Sequence, residues 1–246
     1  MTDSNFTHIS FLLDRSGSMQ GIATDTVGGF AAFIDEQRKL PGRCTVSLAQ
    51  FDNQYEEVYR DVPVADVPPL LLQPRGSTAL LDSIGRLVNE TGARLADLAE
   101  EQRPGTVIVG IMTDGLENAS HEFSHPMIKQ LITQQTNDYG WQFLYMGANQ
   151  DAIEVGTSLG VDPGMSVSYG LGAVDAAMRT YGKKAAGLRT AAAAGITPQA
   201  ARLLHAYTPD ERLEAMGSEQ PAATPKAPRS RQSRPGAVPP RPRPRS

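Results

Sequence analysis

Apolar residues follow two different spacings along this chain. Short apolar-rich runs predict buried strands, and stretches in which apolar residues recur every three or four positions predict helices. The strand pattern covers 8–13, 44–51, 106–112 and 141–146, and a short last strand is expected near Val167. The helical pattern covers 24–39, 77–98, 126–137, 150–159 and 171–186. Residues 55–61 follow the turn residues Asp52 and Asn53, so they are expected to return antiparallel to the second strand.

The predicted elements alternate between strand and helix along most of the chain. Such alternation is typical of an α/β fold, because each helix carries the chain back to start the next parallel strand. We therefore predict a Rossmann-like open, mostly parallel sheet with one antiparallel edge strand and helices on both faces. Residues 1–186 are expected to form this domain.

Two segments are expected to follow this domain. Residues 187–217 are predicted to be a short helical appendage, because Thr197-Pro198 and Thr208-Pro209 each place a capping residue before a proline at the first helical position. Residues 218–246 are rich in proline and arginine and contain almost no apolar residues. They are predicted to be a disordered basic tail, because such a segment buries too little surface to offset its ordering entropy.

Charge is divided unevenly between body and tail. The 246-residue chain has a net charge of −4, and its tail holds seven basic residues against one acidic residue, so residues 1–217 carry −10. An acidic body argues against nucleic acid as its ligand, whereas the tail has the charge to contact nucleic acid or an acidic partner.

Other features of the sequence concern the compartment. Cys44 is the single cysteine, which excludes an internal disulfide and argues against a cysteine-based zinc site. The N-terminal residues lack the basic and apolar regions of a signal peptide, and no apolar run reaches the length that spans a membrane. We expect a cytoplasmic protein without membrane contact.

Oxygen-bearing side chains recur where open α/β sheets bind ligands, at the carboxyl ends of the strands. Asp14 ends the first strand, Ser16 and Ser18 lie just beyond it, Thr78 stands at a helix start, and Asp114 ends the central apolar strand. Two carboxylates and three hydroxyls favour Mg²⁺, Mn²⁺ or Ca²⁺ over zinc. Each residue also has a local alternative, because serine and threonine cap helices and an Asp-Gly pair is common in turns.

The segments around these residues resemble the metal-ion-dependent adhesion site (MIDAS) of von Willebrand factor A domains. FLLDRSGSM resembles the Asp-x-Ser-x-Ser element of that site, GSTALLDSI its threonine loop and MTDGLEN its final aspartate loop, in the same order. The resemblance covers about residues 6–185. It implies that Ser16, Ser18 and Thr78 bind a metal directly, while Asp14 and Asp114 bind it directly or through water.

The same resemblance implies what the site does. Members of the family generally bind protein partners through the metal, so a partner that presents an aspartate or glutamate is expected, and bacterial members often work beside AAA+ ATPases. DRSGSM, FDNQYE and PRGSTALLDSIG are also similar to an uncharacterised bacterial and phage subgroup. We expect a binding domain and not an enzyme. The candidate partner contacts are Arg15, expected to point outward, Arg75 and His121.

Two enzymatic interpretations compete with this one. HEFSH matches the zinc-protease pattern His-Glu-x-x-His, with His121 and His125 as ligands and Glu122 as general base. Pro126 opposes it, because the residue before a proline is pushed out of the helical region and the histidines then lose their common helix face. A phospho-aspartate enzyme of the haloacid dehalogenase type needs a second aspartate where this chain has Ser16.

Overall fold

The computed structural model describes residues 2–217, whose strands form a single mixed sheet. The strands are β1 (Asp3–Asp14), β2 (Arg43–Phe51), β3 (Tyr55–Pro63), β4 (Pro104–Thr113), β5 (Gln142–Gly147) and β6 (Ser166–Ser168). The α-helices are α1 (Ala23–Arg38), α2 (Leu80–Ala96), α3 (His125–Asp138), α4 (Ala152–Ser158), α5 (Val174–Ala193), α6 (Pro198–Leu204) and α7 (Pro209–Met216). The strand order across the sheet is β3-β2-β1-β4-β5-β6.

The strand directions confirm the fold predicted from the sequence. The pairs that join β2 to β1 and β1 through to β6 are parallel, and β3 pairs antiparallel with β2 at one edge. At the centre, Asp14 lies opposite Phe51 of β2, and Leu13 lies opposite Met112 of β4. The carboxyl ends of β1, β2 and β4 are therefore level, and the loops that follow them start side by side.

Helices cover both faces of the sheet, because successive side chains of a strand point to opposite sides. Phe11 of β1 faces α1 and α5, where its ring lies edge-on to Phe30 and Tyr181 at centroid distances of 5.2 and 5.8 Å. Ser10 faces the opposite side and hydrogen-bonds to Thr91 of α2. β1 is thus buried on both faces, and this burial includes its polar residues His8 and Ser10.

Most element boundaries differ from the sequence prediction by a few residues, and three of these differences have a clear structural reason. β1 begins at Asp3 instead of residue 8, because its polar first residues still pair with the start of β4 across a register shift. α2 begins at Leu80 instead of residue 77, since the preceding residues form the loop that holds Thr78. α5 continues to Ala193, past the domain end expected at residue 186, because its inner face stays buried as far as Ala191.

The chain after α5 folds back onto the domain. α6 and α7 both pack against α5, and the side chains of Thr197 and Thr208 cap them by accepting backbone N–H groups. The predicted basic tail, 218–246, lies outside the described residues. Among the helices that the structure describes, none has the length and apolar character needed to cross a bilayer.

Candidate metal site

Asp14 is the last residue of β1, and both of its carboxylate oxygens are held by the fold. Its Oδ1 accepts a hydrogen bond from the Ser16 N–H at 2.6 Å, and its Oδ2 accepts one from the Thr113 hydroxyl at 2.6 Å. Because Thr113 ends the neighbouring strand β4, this carboxylate ties two strand ends together. The Asp14 side chain is fully buried, so it supports the loops from the interior of the protein and has no contact with solvent.

The hydroxyls of Ser16 and Ser18 lie on the loop that follows Asp14. Their Oγ atoms are 3.1 Å apart, and Ser18 donates a hydrogen bond of 2.6 Å to Oδ1 of Asp114. Asp114 follows β4 directly. The two serine side chains therefore point the same way, and the second one reaches the aspartate of the neighbouring loop.

Thr78 borders the same small space. Gly115 has no side chain, and a Cβ built there would lie 3.5 Å from Thr78 Oγ1 and 3.6 Å from Ser18 Oγ. A third loop thus contributes its hydroxyl beside those of the serines. The structure brings together all five oxygen-bearing residues that the sequence singled out, Asp14, Ser16, Ser18, Thr78 and Asp114.

Helix capping does not account for the Ser16 and Thr78 hydroxyls. Ser16 precedes the short 3₁₀ turn at 17–21, yet its side chain makes no capping hydrogen bond. The residues that precede α1 and α2 are Ile22 and Ala79, neither of which has a capping side chain. The capping alternative for these two residues is therefore wrong.

Backbone contacts hold the three loops in register. The Gly17 N–H donates to the Gly76 carbonyl at 3.2 Å. This hydrogen bond joins the loop of Ser16 and Ser18, called the serine loop below, to the threonine loop that holds Thr78. Asn118 joins the threonine loop to the aspartate loop, because its Oδ1 accepts the Thr78 N–H at 2.9 Å and its own N–H donates to the Thr78 carbonyl at 3.1 Å. Asn118 therefore positions Thr78 from both sides.

Glu117 and Asp82 fasten the aspartate loop to the start of α2. The Glu117 carboxylate accepts four hydrogen bonds, from the N–H groups of Leu81, Ala119 and Ser120 and from the Ser120 hydroxyl. Burial raises the pKa of Glu117, but these hydrogen bonds outweigh it, and the net pKa lies below the usual value. Asp82 in turn accepts the backbone N–H groups of 121–123. The sequence signal for Asp82 is weak: an acidic residue in the first turn of a helix.

Within residues 2–217, no lysine, arginine or histidine side chain forms a salt bridge with Asp14 or Asp114. The pKa of Asp14 is raised to about 6, mainly by burial and in smaller part by the nearby Asp114, while hydrogen bonds from Thr113 and Ser16 oppose the rise. Burial also raises the pKa of Asp114, against the hydrogen bond from Ser18. The arrangement offers oxygen atoms only, which suits a hard divalent cation.

Arg15 does not point outward, and this prediction is wrong. Its side chain is buried, with Nε 3.0 Å from Asp52 Oδ2 and Nη1 hydrogen-bonded to Glu56. Asp52, expected only as a turn residue, is a buried acceptor that also takes a hydrogen bond of 2.8 Å from Nε of Arg75. Burial raises the pKa of Asp52, but the contacts with Arg75 and Arg15 lower it by more, so the net pKa lies below the usual value. Arg75 itself stays exposed.

The histidine pair lies away from a common helix face. His121 stands in the loop before α3, and His125 is the first residue of that helix, so the two do not occupy successive helical turns. Both side chains are exposed. Within residues 2–217 no group of three or more His, Cys, Asp or Glu side chains is placed to hold a metal ion. The protease geometry is therefore missing from the described chain.

Comparisons with known proteins support the fold. No family model and no curated protein matches the sequence. The pilus adhesin SpaC from Lactobacillus rhamnosus GG superposes with a TM-score of 0.55 at 14% identity, over 74% of this chain and 30% of that one. Proximal thread matrix protein 1 from the mussel byssus gives 0.51 at 16% identity, over 74% and 46%. A von Willebrand factor type A protein from Catenulispora acidiphila gives 0.50 at 14% identity, over 74% and 43%.

These likenesses concern the fold alone, because the identities are low. The chain spans less than half the length of these three solved chains. Another structure of the byssus protein is described as having zinc in its MIDAS motif. The strand order, the antiparallel edge strand and the helices on both faces are those of a von Willebrand factor A fold.

Proposed function

We propose that this von Willebrand factor A-type domain holds a divalent cation, Mg²⁺ or Mn²⁺ and alternatively Ca²⁺, and through it captures a carboxylate of a protein partner. Ser16, Ser18 and Thr78 would bind the cation directly. Asp14 and Asp114 would bind it directly or through water, and would orient the hydroxyls. The cation, when bound, supplies an electron-poor centre that attracts an anionic side chain.

The observation that carries the proposal is the convergence of three loops on one set of oxygen atoms. Ser18 lies 3.1 Å from Ser16 and 2.6 Å from Asp114, although Ser18 and Asp114 are separated by 96 residues in the chain. The donor set fits a hard cation because it contains carboxylate and hydroxyl oxygens without nitrogen or sulfur. Three neutral hydroxyls leave much of the positive charge of the ion uncompensated, which favours an incoming carboxylate.

The mode of action follows from the position of the site. Gly17 and Ser18 are exposed while Ser16, Thr78 and the two aspartates are buried, so a ligand would approach from the side of Ser18. In this proposal the domain serves adaptor or assembly work and performs no catalysis. The resemblance supports an AAA+ ATPase as one candidate partner, and the composition supports a cytoplasmic setting.

Calorimetric titration with Mg²⁺ and Mn²⁺ tests the metal site. Thr78→Val keeps the shape of the side chain but removes its hydroxyl, and Ser18→Ala removes the hydroxyl that reaches Asp114. Each should weaken metal binding at least about tenfold, because losses of supporting groups alone cost about 10- to 100-fold. Ser158→Ala is the control, since the hydroxyl of this exposed serine of α4 donates to the Val155 carbonyl of its own helix and lies outside the site. Equal affinity in all four proteins would refute the site.

Affinity capture tests partner binding. Wild type and Thr78→Val are used as baits in Mg²⁺ and then in chelator. The proposal expects a partner that is retained by wild type in Mg²⁺ and lost in chelator and from the variant. If the partner is retained equally in chelator and by Thr78→Val, its binding does not use the metal site.

A further inference from the structure

Arg75 presents a fixed positive charge beside the candidate metal site. Its side chain is 59% exposed, and its Nε donates to Oδ2 of Asp52 at 2.8 Å. Among residues 2–217 no hydrogen bond engages its two terminal nitrogens. The guanidinium is thus anchored along one edge, while its other N–H groups face solvent.

The anchor is unusually firm for an exposed arginine. Asp52 is 1% exposed and is held in turn by Arg15 and by the Gln54 N–H. The Arg75 N–H also donates to the Arg15 carbonyl at 2.7 Å, so backbone and side chain are both fixed. The exposed Arg86, by contrast, pairs with the partly exposed Glu90 of its own helix and stacks on the Tyr55 ring, without a buried carboxylate to anchor it. A fixed guanidinium loses less entropy on binding a carboxylate than a mobile one.

The loop places Arg75 next to the converging oxygens. Arg15, whose carbonyl accepts the Arg75 N–H, lies between Asp14 and Ser16. Gly76, the next residue after Arg75, accepts the Gly17 N–H. Arg75 therefore flanks the serine loop, on the side of β2 and β3.

We infer that Arg75 binds a second carboxylate of the partner, so that the site recognises a pair of nearby acidic side chains rather than a single one. This inference rests on the proposed function, in which the first carboxylate goes to the cation. The Glu56 carboxylate acts on Arg75 through its charge, but its hydrogen bond goes to Arg15 and leaves the terminal N–H groups of Arg75 available. The planar guanidinium matches a carboxylate with two parallel N–H donors, which sets both the distance and the orientation of the second acid.

The test uses short blocked peptides with Mg²⁺-loaded full-length protein. Each peptide holds one aspartate followed, after zero to four glycines, by a second aspartate or by asparagine in its matched control. The series scans the span between the two charges at roughly 3.3 Å per residue. Binding is measured by NMR shift titration, and the readout is the affinity ratio between each diacid and its control.

Wild type should prefer the best-fitting diacid by about threefold to tenfold, beyond the factor of about two that two equivalent carboxylates supply by chance. Arg75→Gln should reduce the preference to that statistical factor while Mg²⁺ affinity stays unchanged. Arg75→Lys should retain part of it, because lysine keeps the charge and loses the paired donors. Arg86→Gln, which removes an equally exposed arginine, should behave as wild type.

The outcomes separate the two ideas. Absence of Mg²⁺ binding, or of any Mg²⁺-dependent peptide binding, would overturn the proposed function. Mg²⁺-dependent binding of the single-acid peptides without a diacid preference, or with one that survives Arg75→Gln, would overturn only the role of Arg75.

Discussion

Replacing His8 should change how the stability of the protein depends on pH. His8 lies in the centre of β1 and is fully buried, with Nδ1 3.0 Å from Thr45 Oγ1 and Nε2 2.9 Å from Ser10 Oγ. Burial lowers the pKa of His8 to about 4; Asp61 opposes this shift and Arg94 adds to it. The folded protein therefore keeps this imidazole neutral at pH values where an unfolded chain binds a proton.

The sign and size of the effect follow from linkage. The pKa is lower in the folded state than the ordinary value of 6.5, so the unfolded state binds more protons between these values and stability is lost as pH falls. A difference of about 2.5 pKa units, from 6.5 to about 4, corresponds to about 3 kcal/mol of unfolding free energy lost between pH 7 and pH 4. His8→Gln removes this loss. The variant should gain about 3 kcal/mol relative to wild type over that range.

The assay is urea unfolding of metal-free protein at a series of pH values. Asp14, whose pKa burial raises to about 6, acts with the opposite sign, so variant and wild type are compared at each pH and its contribution cancels. Thr26→Val is the control, because the buried Thr26 hydroxyl has no hydrogen-bond partner among the described residues and does not titrate. The unfolding free energy of Thr26→Val should change with pH in the same way as that of wild type. A His8→Gln curve that also runs parallel would refute the reasoning.

Three further predictions concern the loops and the tail. Glu117→Gln should lower the unfolding free energy by about 1.5–3 kcal/mol in urea unfolding and weaken Mg²⁺ binding, because it removes the charge that accepts four hydrogen bonds; unchanged stability would contradict this. Gly76→Ala should destabilise by about 1 kcal/mol or more, since its φ is +71° and a Cβ would crowd Asn53, whereas Gly21→Ala meets nothing within 4 Å and serves as its control. Deleting 218–246 should leave the melting temperature unchanged, and a large drop would show that the tail packs on the body.

Local patterns in the sequence predicted most of the fold. The apolar-rich runs placed β2, β4 and β5 within about two residues of their observed bounds, because strands that are buried on both faces are rich in apolar residues. Strand–helix alternation predicted the parallel sheet, and the turn at Asp52 predicted the antiparallel edge. The boundaries that failed lie where tertiary contacts override local preference, as at the start of β1, where polar residues extend a strand by pairing with β4.

The residues of the candidate site could also be predicted from the sequence, whereas their geometry depends on tertiary contacts. Asp14, Ser16 and Ser18 could be selected from the sequence because they share one short segment after an apolar run, and Asp114 because it ends another. Their approach, with Ser18 2.6 Å from Asp114, depends on β1 and β4 being level neighbours.

Only the tertiary structure decided which residues support the site. Arg15 is buried because Asp52, in the turn between β2 and β3, accepts its hydrogen bond, and nothing in the spacing of the residues around Ser16 and Ser18 indicates that partner. Asn118 and Glu117 hold Thr78 and the start of α2 across 36 to 40 residues of chain. Periodicity and spacing describe how a segment presents its side chains, whereas such contacts depend on which segments the sheet register brings together. The sequence by itself therefore determined the elements and the oxygen donors, and the register of the parallel strands determined the geometry that joins them.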